Sequence, residues 1–278
     1  MSVEPRAATS SFTARGGSSM IASAWKPGRN VFGIGAIMLG ASGLAWGDFA
    51  MFWHPVQDWM PFRQALAYVA GAAFLAGGLA VQWRRTTPAG LLALAVLYLL
   101  AALLWMPRMI NYPHLFGVWS GFAQQFCLTV AALMMYAALA PSSPAWTART
   151  VLIGRVLFGL CIVSFGIAHF TAVPQTSAMV PTWFPFSQRF WALATGWAML
   201  LAGLALMSGI MATLAAWLLT ALLMSFGVLI WMPKIFNAPN QHIPWGGTGV
   251  TLACAGAAWM VAEVLTNHAA LDTSRHTH

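Results

Sequence analysis

Apolar residues run along this chain in blocks of about 20, the blocks being separated by charges, prolines and polar clusters. Splitting at those separators predicts eight spans, at 31–47, 64–82, 88–106, 115–139, 156–170, 190–207, 211–231 and 245–264. Most have the length of an α-helix that crosses a bilayer. A closed β-barrel would need segments of about ten residues alternating polar and apolar, and Leu91-Leu92-Ala93-Leu94-Ala95-Val96-Leu97 does not alternate. The stretch from Phe190 to Pro233 has no charged residue, so its division into two helices rests on length and on Ser208-Gly209 as a turn.

Composition supports this pattern. Of 278 residues 60% are hydrophobic and 6% charged, against about 25% charged in typical globular proteins, which excludes a soluble monomer. The net charge of +8 comes from scattered Lys and Arg with no run longer than Arg84-Arg85, so nucleic-acid binding is not expected. Cys127, Cys161 and Cys254 lie inside apolar stretches and form neither a CxxC pair nor a zinc motif; they read as small buried hydrophobes. Residues 1–27 read as a disordered basic tail with no cleavable signal peptide, and 267–278 as a C-terminal tail. With an even number of spans, Arg6, Arg15, Lys26, Arg29, Arg84, Arg85, Arg149, Arg155 and Arg275 share a side with the termini. Arg63, Arg108, Arg189 and Lys234 lie opposite, and this excess of positive charge places both termini in the cytoplasm.

Comparison of the chain with itself predicts a repeat at an offset near 124–126. Gly28-Arg29-Asn30-Val31-Phe32-Gly33 matches Gly154-Arg155-Val156-Leu157-Phe158-Gly159, and Pro61-Phe62-Arg63-Gln64 matches Pro185-Phe186-Ser187-Gln188. Trp105-Met106-Pro107-Arg108 with Asn111 matches Trp231-Met232-Pro233-Lys234 with Asn237. Four spans per unit give both halves one orientation. The expected architecture is therefore an all-α polytopic membrane protein of eight transmembrane helices in two parallel four-helix repeats, 28–147 and 148–266. A helix-breaking linker from Pro141 to Arg149 should divide them.

In the second repeat, Gly166-Ile167-Ala168-His169-Phe170 closes a helix, Met179-Val180-Pro181 and Trp183-Phe184-Pro185 follow in a loop, and Thr195-Gly196 opens a glycine-bearing apolar helix. This pattern resembles the DoxX-like family of four-helix membrane proteins, over about 154–262 and more weakly over about 28–140, where Gly47-Asp48-Phe49 replaces Ala168-His169-Phe170. The resemblance implies a module of quinone-linked redox systems in the bacterial plasma (inner) membrane, with quinone as ligand and a redox partner subunit beside the lipid bilayer. Many members carry a Glu three residues after the Thr-Gly glycine; here Met199 stands at that position, and Phe74 in the first half.

Polar residues gather at the predicted outer ends of the spans. The candidate pocket there comprises Asp48, His54, Arg108, Asn111, His169, Lys234 and Asn237. His169 and Asp48, equivalent in the repeat, would offer hydrogen-bond or proton-transfer groups to a quinone-like head group, since imidazole titrates near neutrality and a carboxylate can tune it. The plainer alternative is an interfacial histidine satisfied by a backbone carbonyl and an aspartate that caps a loop. Arg108 and Lys234 beside Trp105 and Trp231 also fit an interfacial belt, and Asn111 and Asn237 fit loop caps. No mid-span histidine is present to hold an internal haem, and no spacing gathers the histidines into a metal site. No nucleophile triad or phosphate loop makes an independent case for an enzyme. The competing functional class is a non-catalytic membrane scaffold or a carrier of small apolar molecules.

Overall fold

The computed structural model describes residues 27–50, 52–139 and 143–276, with the side chains of 271–276 excluded. The predicted tail falls almost wholly outside these residues, as does the start of the predicted linker. Among the described residues the chain is helical and contains no strand. The long helices are α1 (Pro27–Trp46), α2 (Arg63–Gln82), α3 (Thr87–Leu103), α5 (Phe116–Leu139), α6 (Pro144–Thr171), α8 (Gln188–Ser208), α9 (Ala212–Phe226) and α11 (His242–His276). Short helices α4 (Met106–Asn111), α7 (Val173–Met179) and α10 (Met232–Asn237) lie between them. Among the described residues, seven helical segments are long and apolar enough to cross a membrane, and α1 falls outside that group.

Local chemistry sets the boundaries. Gly209, at φ +85°, ends α8, because glycine adopts the left-handed conformation without steric cost. That is the expected turn after Ser208. The predicted linker is instead helical from Pro144 onward: Ser143 accepts a hydrogen bond from the Trp146 amide at 3.3 Å, and Pro144 occupies the first turn, where no N–H is needed. α6 therefore starts well before the predicted 156. The stretch read as a C-terminal tail continues α11 to His276. Prolines 107 and 233 begin the short helices α4 and α10 for the same reason as Pro144.

Helices that follow one another along the chain pack side by side, and α1 packs on α11. α5 and α11 also touch each other, so they form a wall between two lobes, α1-α2-α3 on one side and α6-α8-α9 on the other. Close approach within each lobe depends on glycine. A Cβ on Gly78 would sit 2.6 Å from the Gly33 carbonyl oxygen, and one on Gly203 would sit 2.7 Å from that of Gly159. Such backbone-to-backbone contact is how helices associate in lipid, where no hydrophobic effect drives them together.

The two ends of the bundle differ. At one end the Gly28 amide donates to Glu263 at 3.1 Å and Arg29 donates to Thr87 at 3.0 Å, uniting the start of α1, the α2–α3 turn and the far part of α11. At the other end lie α4, α7, α10 and the 47–62 loop. Several features there occur in pairs. Phe62 and Phe186 both take left-handed φ, 58° and 65°, before α2 and α8. The Trp119 indole donates to the Pro113 carbonyl at 3.0 Å, and the Trp245 indole to Pro239 at 2.9 Å.

Candidate functional site

The second lobe holds a partly open cavity of about 780 Å³ between α5, α6, α8, α9 and α11, with α7 and the Phe52-Trp53 segment at its end. Among the described residues its wall carries no Lys, Arg, Asp or Glu. Apolar groups such as Phe165, Met199, Leu223, Phe226 and Trp231 make up most of the lining. The polar groups are His169, Thr195, Thr176, Ser225, Gln124, Gln175, Ser120 and Thr251.

α6 delivers His169 to this wall from its last turn. Its Nδ1 lies 2.9 Å from the Ala192 carbonyl oxygen on α8 and 3.2 Å from the Thr195 hydroxyl, and its ring lies over Phe226 at 6.4 Å. The ring is thereby fixed from two helices. Gly196 makes this possible, since a Cβ there would stand 2.8 Å from the His169 Cβ. α9 contributes a π-helical segment, Gly227–Trp231, and Leu229, Ile230 and Trp231 of that segment line the cavity. π segments inside α-helices are rare and frequently accompany functional sites.

The interior of the first lobe is built differently. His54 stacks on Phe74 (5.5 Å), Phe74 meets Tyr98 (5.1 Å), and Tyr98 meets Phe32 (5.5 Å). This aromatic column fills the space between α1, α2 and α3. Phe74 and Met199 thus differ in setting: Phe74 belongs to the filled interior, while Met199 lines the open one.

Of the seven candidate residues only His169 lines the cavity. Asp48 is engaged elsewhere, with Arg63 Nη1 at 2.6 Å and the Phe49 amide at 2.6 Å, and so matches the loop-capping alternative. His169 and Asp48 therefore do not share a pocket. His54 is buried under Phe74, and burial, with the neighbouring His242 as second cause, pushes its pKa down to about 4. Arg108 stands over Trp105 (5.7 Å) and Lys234 over Trp231 (4.6 Å), as belt residues would. Asn111 and Asn237 are exposed and end the short helices α4 and α10. No cluster of three metal-ligating side chains occurs among the described residues.

Sequence reasoning missed Thr195, Gln175, Ser225 and Met199 as wall residues. Their one local signal was Thr195-Gly196, noted as a motif but not as a contact to His169. Trp53 was also missed. Its carbonyl accepts from the Trp105 indole at 3.2 Å and its ring meets Trp231 edge-on at 5.5 Å, so a loop of the first half helps to close the second-lobe cavity.

Compared with protein-family models, with curated proteins and with solved structures, the chain matches none.

Proposed function

We propose that this protein is a DoxX-like integral membrane subunit whose second-lobe cavity takes the ring of a neutral, lipid-soluble molecule of the quinone class, in association with a redox partner. The observation that carries this reading is the pairing of the cavity's uncharged wall with one tethered imidazole, His169. An uncharged wall in the apolar part of a helical bundle disfavours phosphate or carboxylate head groups, which need a paired charge when desolvated. An apolar ring with one or two oxygens fits the composition of the wall, and 780 Å³ falls within the size range of small-molecule pockets.

The membrane arrangement belongs to the same reading. α1 serves as the eighth crossing and the halves derive from one duplicated four-helix unit. The shared glycine contacts, the left-handed Phe62 and Phe186, and the Trp-to-Pro hydrogen bonds support the duplication. Both termini lie in the cytoplasm of a bacterial cell and the His169 end faces outward. In this account the second unit keeps a working cavity, and the first has exchanged it for the His54–Phe74–Tyr98 column.

Purification in mild detergent, lipid extraction and mass spectrometry test the proposal. A quinone should co-purify with the wild type and be depleted in His169→Ala, which should also slow respiratory quinone turnover in membranes. Wild-type protein free of quinone, together with normal turnover in the variant, overturns it. The π segment beside the cavity favours one second reading, a carrier of small apolar molecules, since irregular helices flank substrate sites in transporters. That reading requires net movement of the ligand across sealed vesicles.

A further inference from the structure

Resting on the proposal that the second-lobe cavity is a ligand site, we infer that its ligand enters and leaves through one mouth at the α7 end, kept clear by Gly117. Among the described lining residues three are exposed: Phe52 of the 47–62 loop, Gly117 in the first turn of α5, and Gln175 on α7. All three lie at the same end of the bundle. The rest of the wall is buried or half-buried, and Phe165, Met199, Leu223 and Cys254, set deeper in their helices, are all buried. The cavity is thus closed where the helices pack together and open between Phe52, Gly117 and Gln175.

Neither backbone nor packing requires glycine at 117. The residue is helical, in a setting that disfavours glycine, and the left-handed φ values belong to Gly47 and Gly209 instead. A Cβ added at Gly117 would meet no atom within 4 Å, whereas one on Gly121, a turn further on, would strike the Trp105 ring. What the missing side chain does is leave the rim clear. The start of α11 shows the alternative. Ile243 precedes Trp245 by two residues as Gly117 precedes Trp119, and the two indoles donate to the Pro239 and Pro113 carbonyls. There Ile243, with Ala50, Trp53, His242 and Gly246, surrounds a space too small for a water molecule. A side chain at this position accompanies a closed end, and its absence an open one. A mouth residue acts on the barrier and not on the bound state, so bulk at 117 slows binding and release together and leaves affinity nearly unchanged.

The test separates access from ligand identity. Thr251→Cys places a thiol on the cavity wall, and its labelling by N-ethylmaleimide in full-length protein in detergent is timed by tandem mass spectrometry, resolved from Cys127, Cys161 and Cys254. Gly117→Trp should slow this labelling about tenfold, the effect of a modest rise in an access barrier. Gln175→Trp, on the same rim, should also slow it, and because Gln175 is exposed this variant tests the mouth even where Trp at 117 is not tolerated. Tyr112→Trp, exposed at the same end but off the rim, should leave the rate unchanged. In a second arm, Gly117→Trp in phosphatidylcholine nanodiscs should release preloaded decyl-ubiquinone to acceptor vesicles more slowly by a similar factor, while holding as much at equilibrium as the wild type. Unchanged labelling in the rim variants overturns the inference, and continued retention of decyl-ubiquinone then leaves the quinone-class reading in place. Slowed labelling with no decyl-ubiquinone held above protein-free discs supports the mouth and overturns the quinone-class reading.

Discussion

Acid should destabilise this protein through one residue, His54. The side chain lies in the loop between α1 and α2, is 5% exposed, and stacks on Phe74 with ring planes only 13° apart. Its Nε2 has no hydrogen-bond partner among the described residues. Burial, and then the neighbouring His242, which itself stacks on Trp46, hold its pKa at about 4 against an ordinary 6.5. The folded protein thus resists a proton that the unfolded chain accepts. Stability is complete above pH 6.5 and is lost as pH falls from there towards 4, a loss that reaches on the order of 3 kcal/mol at about 1.4 kcal/mol per pH unit. Thermal unfolding in detergent, followed by tryptophan fluorescence between about pH 7.5 and 4.5, would show this as a fall in melting temperature of about 5–10 °C for a chain of this size. His54→Phe keeps a ring against Phe74 and removes the titration. The difference between wild type and variant should therefore widen steadily as pH falls. Parallel pH profiles for the two proteins would refute the assignment.

Three further outcomes follow from the packing. Met199→Phe places in the second lobe the residue type that helps to fill the first; it should reduce ligand binding more than tenfold, measured by quinone retention, without lowering the melting temperature. Gly203→Ala sets a methyl against the Gly159 carbonyl at 2.7 Å and should cost about 1–3 kcal/mol, read as a lower melting temperature and poorer yield of folded protein. Asp48→Asn breaks a partly exposed ion pair with Arg63; it should cost no more than about 1 kcal/mol and leave quinone retention unchanged.

Much of the helical framework could be read locally. Apolar length and the Ser208-Gly209 turn place α8 and α9 correctly, because a left-handed glycine stop is a property of a few adjacent residues. The Pro141–Arg149 stretch misled because proline both breaks helices and begins them, and the outcome here depends on the Ser143 cap. The site was less legible. His169 could be singled out as a polar residue at a helix end, yet its selection beside Asp48 rested on alignment, and alignment does not show which lobe encloses a residue. Asp48 faces Arg63, and His169 is tied to Ala192 and Thr195, contacts that arise only when α6 meets α8. The contrast between Phe74 and Met199 was visible as a substitution, but its consequence, one interior filled and one open, depends on rings contributed by other helices and a loop.

Photoaffinity labelling with an azido-ubiquinone tests the central claim most directly. Labelled protein would be digested and the modified peptides mapped by mass spectrometry, with excess unlabelled quinone as competitor. Competable label should fall on the 191–199 and 222–231 segments that wall the cavity and should disappear in Met199→Phe. Label confined to the first lobe, or undiminished in that variant, would contradict the assignment of the second-lobe cavity as the ligand site.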